Sequence, residues 1–206
     1  MTQPRSLLIV AGTGTEVGKT WAARQVLLQA RQRGLRVAAR KPAQSYLEGE
    51  GPTDAEQLGA VSGEAPQQVC VPHRWYPVPM APPMAAEVLG RAPLRLDSLV
   101  SDIVWPAPVD LGLVETAGGL RSPIAHHADN VDLIERLAPD AVLLVADAGL
   151  GTLNAVRSAL PALVGRNVRV LLNRYDEMQD LHRRNRKWLE REGVRVMTDV
   201  AAWWIP

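Results

Sequence analysis

The sequence contains little cysteine, lysine and phenylalanine. Among its 206 residues there are one cysteine, Cys70, no phenylalanine, and three lysines against 20 arginines. A single cysteine excludes an intrachain disulfide and any metal site built from several cysteines, and it favours a reducing compartment. No apolar run approaches the ~20 residues that a membrane-spanning helix needs, and the apolar stretch at 7–11 is too short for a signal peptide. We therefore expect a cytoplasmic protein with no membrane partner.

The sequence also lacks an excess of charge of either sign. Its 23 basic and 22 acidic residues leave a formal charge of +1, and the pI is about 8.0. This balance argues against a protein that binds nucleic acid through bulk charge. The length and a hydrophobic content of 47% are typical of one globular domain with a buried core. We predict a single domain over residues 1–206.

The three lysines are Lys19, Lys41 and Lys187. Codon usage explains the preference for arginine overall, but a lysine that remains can mark a position where a compact ammonium is needed and a guanidinium does not fit. Lys187 lies in a charged helical segment and is expected to be solvated. Lys19 and Lys41 therefore deserve closer inspection.

Short β-rich runs alternate with helical stretches along the chain, which predicts an α/β fold with a largely parallel β-sheet. The predicted strands are 7–11, 35–40, 111–114, 141–146, 168–173 and 194–198. The predicted helices are 18–33, 53–62, 84–89, 94–104, 130–137, 153–164 and 180–192. Thr53 and Glu56 have the spacing of a capping box. The stretch 66–83 holds six of the 16 prolines and is predicted to be loop.

The segment GTGTEVGKT at 12–20 lies between the first predicted strand and the first predicted helix. Its glycines allow backbone N–H groups to approach phosphate oxygens, and the helix N-terminus adds partial positive charge. Lys19 would reach the terminal phosphates and the Thr20 hydroxyl would bind Mg²⁺. Five residues, one more than usual, separate Gly12 from Gly18. We predict Mg-nucleotide binding and a P-loop NTPase-like fold with helices on both faces of the sheet.

Other polar residues follow predicted strands or begin a predicted helix. Lys41 follows the second strand, Asp54 lies in the first turn of a helix, and Glu115 ends a buried strand. Strand ends line the ligand crevice of open α/β sheets, where a lysine can stabilise charge on a transferring phosphate. Thr20, Asp54 and Glu115 together would make the all-oxygen site that Mg²⁺ prefers. Asp54 could instead serve the helix dipole. Glu16, inside the phosphate loop, either faces solvent or contacts metal or nucleotide.

These residues resemble the dethiobiotin synthetase family. The phosphate loop at 12–20 matches with its additional residue, and further motifs follow in the family's order from residue 7 to near the C-terminus. These motifs are Lys41-Pro42 with Ser45, Thr53-Asp54-Ala55, Val114-Glu115 with Ala117-Gly118-Gly119, Leu150-Gly151-Thr152-Leu153-Asn154, and Asn173.

The resemblance implies a cytoplasmic ligase of biotin biosynthesis that uses ATP and Mg²⁺. In this family 7,8-diaminononanoate takes up CO₂ as a carbamate, and the carbamate attacks the γ-phosphate of ATP. The second amine then closes the ureido ring and expels phosphate. The site lies at a homodimer interface, and the carboxylate tail of the diamine reaches the partner subunit.

The resemblance also assigns roles to residues by position. The catalytic residues would be Lys41, Lys19 and Thr15, and the metal ligands would be Thr20, Asp54 and Glu115. The nucleotide would contact Gly14, Thr15, Glu16, Val17, Gly18, Lys19, Thr20, Trp21, Asp54, Glu115, Thr116, Ala117, Gly118 and Asn173. The diamine would contact Thr15, Lys41, Ser45, Leu150, Gly151 and Asn154, with the loop at 150–154 receiving its carboxylate from the other subunit.

The sequence departs from the family pattern at several positions. Tyr46 and Thr116 stand where the family usually has glycine, Ala155 stands where some relatives have histidine, and 200–202 match the base-binding turn poorly. These departures leave the substrate and the nucleotide base open. The alternatives are a divergent paralogue with another substrate, an amide-forming synthetase of the cobyrinate type, and a nucleotide-switch ATPase of the partitioning type. The cobyrinate type usually carries a glutaminase half, for which 206 residues leave no room. The partitioning type has an additional lysine early in its phosphate loop, which 12–17 lack.

Three further features carry weaker expectations. His126 and His127 are adjacent and have no cluster of cysteine or histidine around them, so a loop position is expected. The basic run at 182–187 is flanked by acidic residues and is expected to be a solvated helix face. Trp203-Trp204 could pack on the domain or contact another subunit.

Overall fold

A parallel sheet forms the centre of the computed structural model, which describes residues 3–202; Trp203-Trp204 lie outside the described residues. The strands, in chain order, are β1 (Ser6–Gly12), β2 (Val37–Arg40), β3 (Gln44–Ser45), β4 (Trp75–Tyr76), β5 (Leu111–Glu115), β6 (Pro123–Ala125), β7 (Ala128–Asp129), β8 (Ala141–Asp147), β9 (Val168–Asn173) and β10 (Val196–Met197). Six of them form one sheet in the order β10-β9-β8-β1-β5-β2, and every neighbouring pair in it is parallel. The predicted largely parallel sheet is therefore confirmed.

The helices are α1 (Lys19–Gln32), α2 (Asp54–Ser62), α3 (Pro66–Val69), α4 (Pro82–Val88), α5 (Leu96–Ser101), α6 (Asn130–Leu137), α7 (Thr152–Ala159) and α8 (Asp180–Arg191). Short 3₁₀ turns occur at Pro72–Arg74, Leu160–Leu163 and Val200–Ala202. Within residues 3–202, no helix has both the length and the apolar character that crossing a bilayer requires.

Helices cover both faces of the sheet, as predicted. On one face, Leu27 of α1 and Leu58 of α2 share a core with alternate residues of the central strands. On the other face, Ile134 of α6, Val156 of α7 and Leu189 of α8 share a second core with the remaining residues of the same strands. Strands covered on both sides read as continuous apolar runs, which is why 141–146 could be recognised as a strand.

The proline-rich stretch was predicted wrongly as loop. It contains α3, a 3₁₀ turn, β4 and the beginning of α4. Pro66, Pro72 and Pro82 are each the first residue of a helix. A proline at this position loses no hydrogen bond and has the backbone angle that a helix needs. These prolines therefore start helices rather than prevent them.

Helix α8 is less solvated than the basic run at 182–187 suggested. His182 and Asn185 are buried, and the Asn185 Nδ2 donates to the carbonyls of Ala148 and Gly149 at 2.9 Å each. These bonds attach α8 to the loop that follows β8. His126 lies in the turn between β6 and β7, as expected.

Because all six central strands run parallel, their carboxyl ends meet at one edge of the sheet. The phosphate loop leaves β1 at this edge, Lys41 follows β2, and Glu115, Asp147 and Asn173 end β5, β8 and β9. Ligands of open α/β sheets bind outside this edge. The topology therefore gathers the predicted site residues from distant parts of the chain.

Candidate nucleotide and metal site

The phosphate loop ends at Gly18, which caps α1 with a left-handed backbone at φ 95°. A Cβ at Gly18 would lie 2.0 Å from the Nδ2 of Asn173, so glycine is required for both its conformation and its close approach. The first turn of α1 contains no acidic residue. The loop and the start of a 14-residue helix thus have the features of an anion-binding site.

Lys19 lies over the phosphate loop. A Cβ at Gly12 would approach the Cδ of Lys19 to 2.9 Å, so Gly12 leaves the space that the lysine stem occupies. The Lys19 Nζ donates to the carbonyl of Gly14 at 3.0 Å. Burial, and then the charge of Lys41, lower the pKa of Lys19 to about 8. A negatively charged ligand bound in the loop would therefore stabilise the charged form of Lys19.

Thr20, Asp54 and Glu115 meet beside Lys19. The Thr20 Oγ1 lies 2.8 Å from the Asp54 Oδ1 and 2.9 Å from the Glu115 Oε1. The capping box of Thr53 and Glu56, which the sequence predicted, is present and begins α2 at Asp54. Glu115 reaches the same point from the end of β5. Three elements that are distant in sequence thus bring three oxygen-bearing side chains together.

Lys41 lies among the same carboxylates. Its Nζ is 2.7 Å from the Asp54 Oδ2, 2.7 Å from the Glu115 Oε1 and 3.2 Å from the carbonyl of Thr116. Burial by itself would lower the pKa of Lys41, but the charges of Asp54 and Glu115 outweigh it and raise this pKa above its ordinary value. Lys41 is therefore a buried ammonium at every physiological pH.

The two carboxyl groups of this cluster differ. Burial opposes the charge on Asp54, yet Lys41 holds the pKa of this carboxyl below its usual range. Burial raises the pKa of Glu115, although Lys41 favours its charged form. The Glu115 Oε2 is buried and has no hydrogen-bond partner among residues 3–202, which leaves one acceptor of the cluster unused.

These oxygens fit a magnesium ion. Among residues 3–202 no three His, Cys, Asp or Glu side chains form a metal-binding group, so the candidate donors are two carboxylates and one hydroxyl. Mg²⁺ is usually held by one or two carboxylates, with water and phosphate oxygens completing its octahedron. The unpartnered Glu115 Oε2 adds an acceptor where a cation would be needed.

The turn after β5 packs against the phosphate loop. A Cβ at Gly119 would lie 3.2 Å from the Cα of Gly14, and Gly118 has a φ of 70°. The buried Asn130 holds this turn, because its Nδ2 donates to the carbonyls of Ala117 at 2.7 Å and Gly119 at 2.8 Å. Sequence analysis missed Asn130, since its only signal is a polar residue at the start of an apolar helix.

Three adjoining clefts open along this edge of the sheet. The central cleft, of about 380 Å³, is lined by Thr15, Glu16, Gly18, Lys19, Thr20, Lys41, Ser45, Asp54, Glu115, Ala117, Gly118 and Arg174. The β9 cleft, of about 440 Å³, is lined by Gly18, Trp21, Leu171, Asn173, Arg174, Tyr175 and Thr198. The loop cleft, of about 450 Å³, includes Thr15, Glu16, Ser45, Tyr46, Glu50, Met80 and Gly118.

The clefts share lining residues and therefore form one continuous channel. Gly18 and Arg174 line both the central and β9 clefts, while Thr15, Glu16 and Ser45 line both the central and loop clefts. A larger groove of about 730 Å³ lies around 160–168 and 192–195, away from all the charged residues described above. The predicted site residues with ionisable side chains lie in the channel rather than in that groove.

Most of the predicted site residues lie in this channel, and a few lie elsewhere. Leu150 is 93% exposed, and neither it nor Gly151 or Asn154 lines any of the three clefts. Thr116 is buried behind the central cleft, where its carbonyl accepts from Lys41. The carbonyl of Val17 accepts from the Asn173 Nδ2 at 2.9 Å.

Sequence analysis also missed Arg174, Tyr175 and Thr198, which line the β9 cleft. Arg174 and Tyr175 directly follow Asn173 at the end of β9, so the rule that strand ends line the ligand crevice could have indicated them. Thr198 follows the outermost strand, which the sequence places less clearly.

Comparisons with known proteins agree with this geometry. A family model described as "AAA domain" matches residues 6–200. The chain is 39% identical over 168 residues to the ATP-dependent dethiobiotin synthetase BioD of Caulobacter vibrioides, covering 79% of this chain and 76% of that protein. It is 40% identical over 160 residues to the protein of the same name from Rhodococcus jostii, and the match covers 77% of this chain and 68% of that protein.

Solved structures share the fold. A putative plasmid partition protein from Borrelia burgdorferi, bound to AMPPNP, superposes with a TM-score of 0.58 at 10% identity and covers 94% of this chain and 85% of its own. At this identity the likeness extends to the P-loop NTPase-like architecture alone, which confirms the predicted fold class.

Proposed function

This chain belongs to the dethiobiotin synthetase family, and we propose that it closes the ureido ring of dethiobiotin from 7,8-diaminononanoate, CO₂ and ATP. The observation that carries this proposal is the buried ammonium of Lys41 between Asp54 and Glu115, beside the phosphate loop. A fixed cation at this point suits a reaction in which negative charge develops on a carbamate and on a transferring phosphoryl group.

The nucleotide would occupy the β9 and central clefts. The phosphate loop and Lys19 would bind the phosphates, as helix N-termini and loop lysines do. The aromatic side chains of Trp21 and Tyr175 and the side chain of Asn173 line the β9 cleft, where they would face the base. The phosphates would then point toward Lys41 in the central cleft.

Thr20, Asp54 and Glu115 would hold Mg²⁺. When bound, this ion neutralises phosphate charge and orients the terminal phosphate. Lys41 now pairs with both carboxylates, so metal binding would compete with this pairing. The ammonium would then be available to the reacting groups in the same cleft.

The loop cleft suits an aliphatic diamine. Its charged lining residues among those that the structure describes are Glu16 and Glu50, with no lysine or arginine among them, and Leu47 and Met80 provide apolar surface. Carboxylates attract amines, and the apolar residues fit a hydrocarbon chain. Thr15 and Ser45 lie where this cleft meets the central cleft, so they would contact the reacting end of the diamine.

The reaction then proceeds in three bond exchanges. One amine of the substrate attacks the carbon of CO₂ and loses a proton, which gives a carbamate. A carbamate oxygen attacks the γ-phosphorus and the bond to ADP breaks. The second amine attacks the carbonyl carbon, loses a proton and displaces phosphate. Lys41 stabilises the carbamate and phosphoryl charges through the first two exchanges, and Lys19 stabilises the phosphate oxygens.

The carboxylate tail of the diamine requires a partner that the loop cleft of one chain lacks, since no cation lines it. The exposed loop of Leu150 and Gly151, with Asn154 in the first turn of α7, would receive this tail from the site of a second copy in a homodimer. Backbone N–H groups at a helix N-terminus suit a carboxylate.

The test follows the oxygen atoms. With ¹⁸O-labelled CO₂, the diamine and ATP, the released phosphate should contain one ¹⁸O, because a carbamate oxygen becomes a phosphate oxygen. Mass spectrometry of the phosphate measures this. Reactions without the diamine should release almost no phosphate.

Two outcomes would contradict the proposal. Phosphate release that ignores the diamine would indicate a nucleotide-switch ATPase or another substrate. Diamine-dependent release of unlabelled phosphate would exclude the mixed anhydride as the intermediate.

A further inference from the structure

Arg174 lies where the central and β9 clefts meet. It follows Asn173 at the end of β9 and has a left-handed backbone with φ 57°. This conformation is uncommon for a residue other than glycine, and it is retained where the surrounding structure requires it. The side chain is 60% exposed, so packing does not explain its orientation.

Hydrogen bonds do explain this orientation. The Arg174 Nη2 donates to the carbonyl of Glu16 at 2.9 Å, and its Nη1 pairs with the Asp147 Oδ2 at 2.8 Å. The other oxygen of Asp147 accepts from the N–H of Gly149 at 2.8 Å. Asp147 is thus fixed at the end of β8 and directs the guanidinium toward the phosphate loop.

The last residue of β9 and the residue after it therefore hold two consecutive carbonyls of the phosphate loop. Arg174 holds the carbonyl of Glu16, and Asn173 holds that of Val17. Each peptide unit is planar and trans, so its N–H points away from its carbonyl. Fixing these carbonyls on the β9 side directs the N–H groups of Val17 and Gly18 to the opposite side.

Within residues 3–202, the N–H groups of Val17 and Gly18 make no hydrogen bond of good geometry, although the turn at Thr15 and Glu16 brings the Val17 N–H toward the carbonyl of Gly14. Both N–H groups can therefore turn to a ligand. Glu16 has a φ of 59°, a conformation that a residue other than glycine adopts only when it is held. Arg174 provides the contact that holds it.

We propose that Arg174 is a positioning residue for nucleotide phosphates, acting by fixing the Glu16 carbonyl and thereby the orientation of the Val17 amide. This role of Arg174 rests on the proposed function only in requiring that the chain bind a nucleotide. Prearranged amides bind phosphate without the cost of ordering the loop at that moment. Direct contact of the guanidinium with phosphate is the competing explanation.

The experiment measures ADP affinity by calorimetry in variants at position 174. Arg174→Met removes the donor and the charge. Arg174→Gly removes the side chain but suits the positive φ, so it separates the side chain from backbone strain. Arg174→Lys keeps a donor that can reach the Glu16 carbonyl. Arg36→Met is the matched control, because Arg36 is 57% exposed and pairs with Asp110 at 2.8 Å at the opposite edge of the sheet.

We expect ADP affinity to fall about tenfold in both Arg174→Met and Arg174→Gly, the scale of one hydrogen bond from a charged donor. Arg174→Lys should recover most of this loss, and Arg36→Met should bind ADP like the parent chain. In turnover assays the loss should lie in the KM for ATP, with kcat at saturating ATP within about threefold, as for uniform binding. Arg174→Gly should melt at a higher temperature than Arg174→Met.

Salt distinguishes positioning from direct contact. A charge contact with phosphate is screened between about 0.1 M and about 1 M salt, where the Debye length falls from about 10 Å to about 3 Å. The affinity ratio of parent to Arg174→Met should persist at about 1 M salt if Arg174 acts through the neutral carbonyl. A ratio that falls to one would overturn the proposal, as would unchanged affinity in Arg174→Gly. Because ADP binding needs no diamine, failure of the proposed ring closure would leave this test intact.

Discussion

Arg40 and Lys41 are adjacent in sequence and are both buried cations, yet they lie in opposite kinds of environment. Arg40 is 5% exposed and its Nη1 lies 2.7 Å from the Glu64 Oε1. Its Nε donates to the carbonyl of Val104 at 2.7 Å, and its guanidinium stacks 5.0 Å from the centroid of the Trp105 ring. The other oxygen of Glu64 accepts from the N–H of Ala39 at 2.8 Å. Both oxygens of Glu64 and the Nε and Nη1 of Arg40 thus have partners within the protein.

Lys41 is 3% exposed and also pairs at 2.7 Å, but its cluster is incomplete. Two carboxyl groups share one ammonium, one oxygen of Glu115 has no partner, and the cluster lines a cleft. The two clusters therefore differ in a way that distinguishes a structural ion pair from one suited to binding a ligand. A structural pair satisfies its own groups, whereas a functional cluster retains capacity for a ligand.

The largest expected effect on folding tests the structural side of this comparison. Arg40→Met leaves Glu64, whose side chain is 11% exposed, without its cation and should lower the free energy of unfolding by about 3 kcal/mol, the lower end of the cost of breaking a buried pair. Lys41→Met should cost less than half as much, because Glu115 can take up a proton and the cleft admits water. Urea denaturation of both variants measures this. Equal losses of stability in Arg40→Met and Lys41→Met would contradict the distinction between the two ion-pair clusters.

Substitution of Lys41 should reduce turnover more than substitution of Arg40, the reverse of the order expected for stability. Lys41→Arg should lower kcat by roughly 10²–10³-fold, the scale of removing one charge-stabilising group, while nucleotide affinity stays within a few-fold. The planar guanidinium does not fit a position where one nitrogen lies within 3.2 Å of three oxygens. Arg40→Lys is the matched control and should retain kcat. Full activity of Lys41→Arg would remove Lys41 from the catalytic residues.

The pH dependence of Lys19 extends the comparison to a third buried cation. Its pKa is lowered from 10.5 to about 8 in the folded chain. ADP binds the charged form, so affinity should be flat below about pH 8 and fall by up to tenfold per pH unit above it.

The free energy of unfolding should rise with pH over the range in which ADP affinity falls. Between about pH 8 and 10.5 the unfolded chain binds more protons at Lys19 than the folded chain does, so the free energy of unfolding rises with pH. Calorimetry and urea denaturation of the parent chain and of Lys19→Met measure the two trends. A Lys19→Met variant with the parental pH profile would contradict this prediction.

The smallest effect concerns the support of Asp54. Thr53→Ala removes the side chain that caps α2 and should cost about 1 kcal/mol of stability. Thr53→Ser keeps the hydroxyl and serves as the control. If the cap also orients Asp54 toward Lys41, the KM for Mg-ATP should rise slightly in the alanine variant alone.

The amino-acid sequence alone predicts those strands, helix caps and site residues that depend on a local sequence pattern. The continuous apolar run predicts the strand at 141–146, the alternation of strand-like and helical stretches predicts the strand at 168–173, and the spacing of Thr53 and Glu56 predicts the capping box. Lys19, Thr20, Asp54 and Glu115 were recognised because phosphate and metal chemistry requires these groups after strands and at helix starts. The structure brings Thr20, Asp54 and Glu115 within hydrogen-bond distance of one another, with Lys19 beside them over the phosphate loop.

The rest depends on contacts between residues far apart in sequence. Asn130 holds a turn that precedes it by more than ten residues, and Arg174 reaches a carbonyl at Glu16. Neither residue belongs to a motif, and the left-handed backbone at Arg174 cannot be read from its side chain. The prediction of a loop at 66–83 was wrong for another reason. It relied on the number of prolines, whereas a proline at the first position of a helix is compatible with that helix.

The sharing of lining residues between the central and loop clefts has a consequence for inhibitor chemistry. A single compound could place a diphosphate over the phosphate loop and an aliphatic amine beside Glu16 and Glu50, with a short spacer passing Thr15 and Ser45. Joining the two pieces makes the second contact intramolecular, so the affinity of the whole exceeds that of either piece when the spacer matches the span. The continuous channel thus provides a template for bisubstrate ligands.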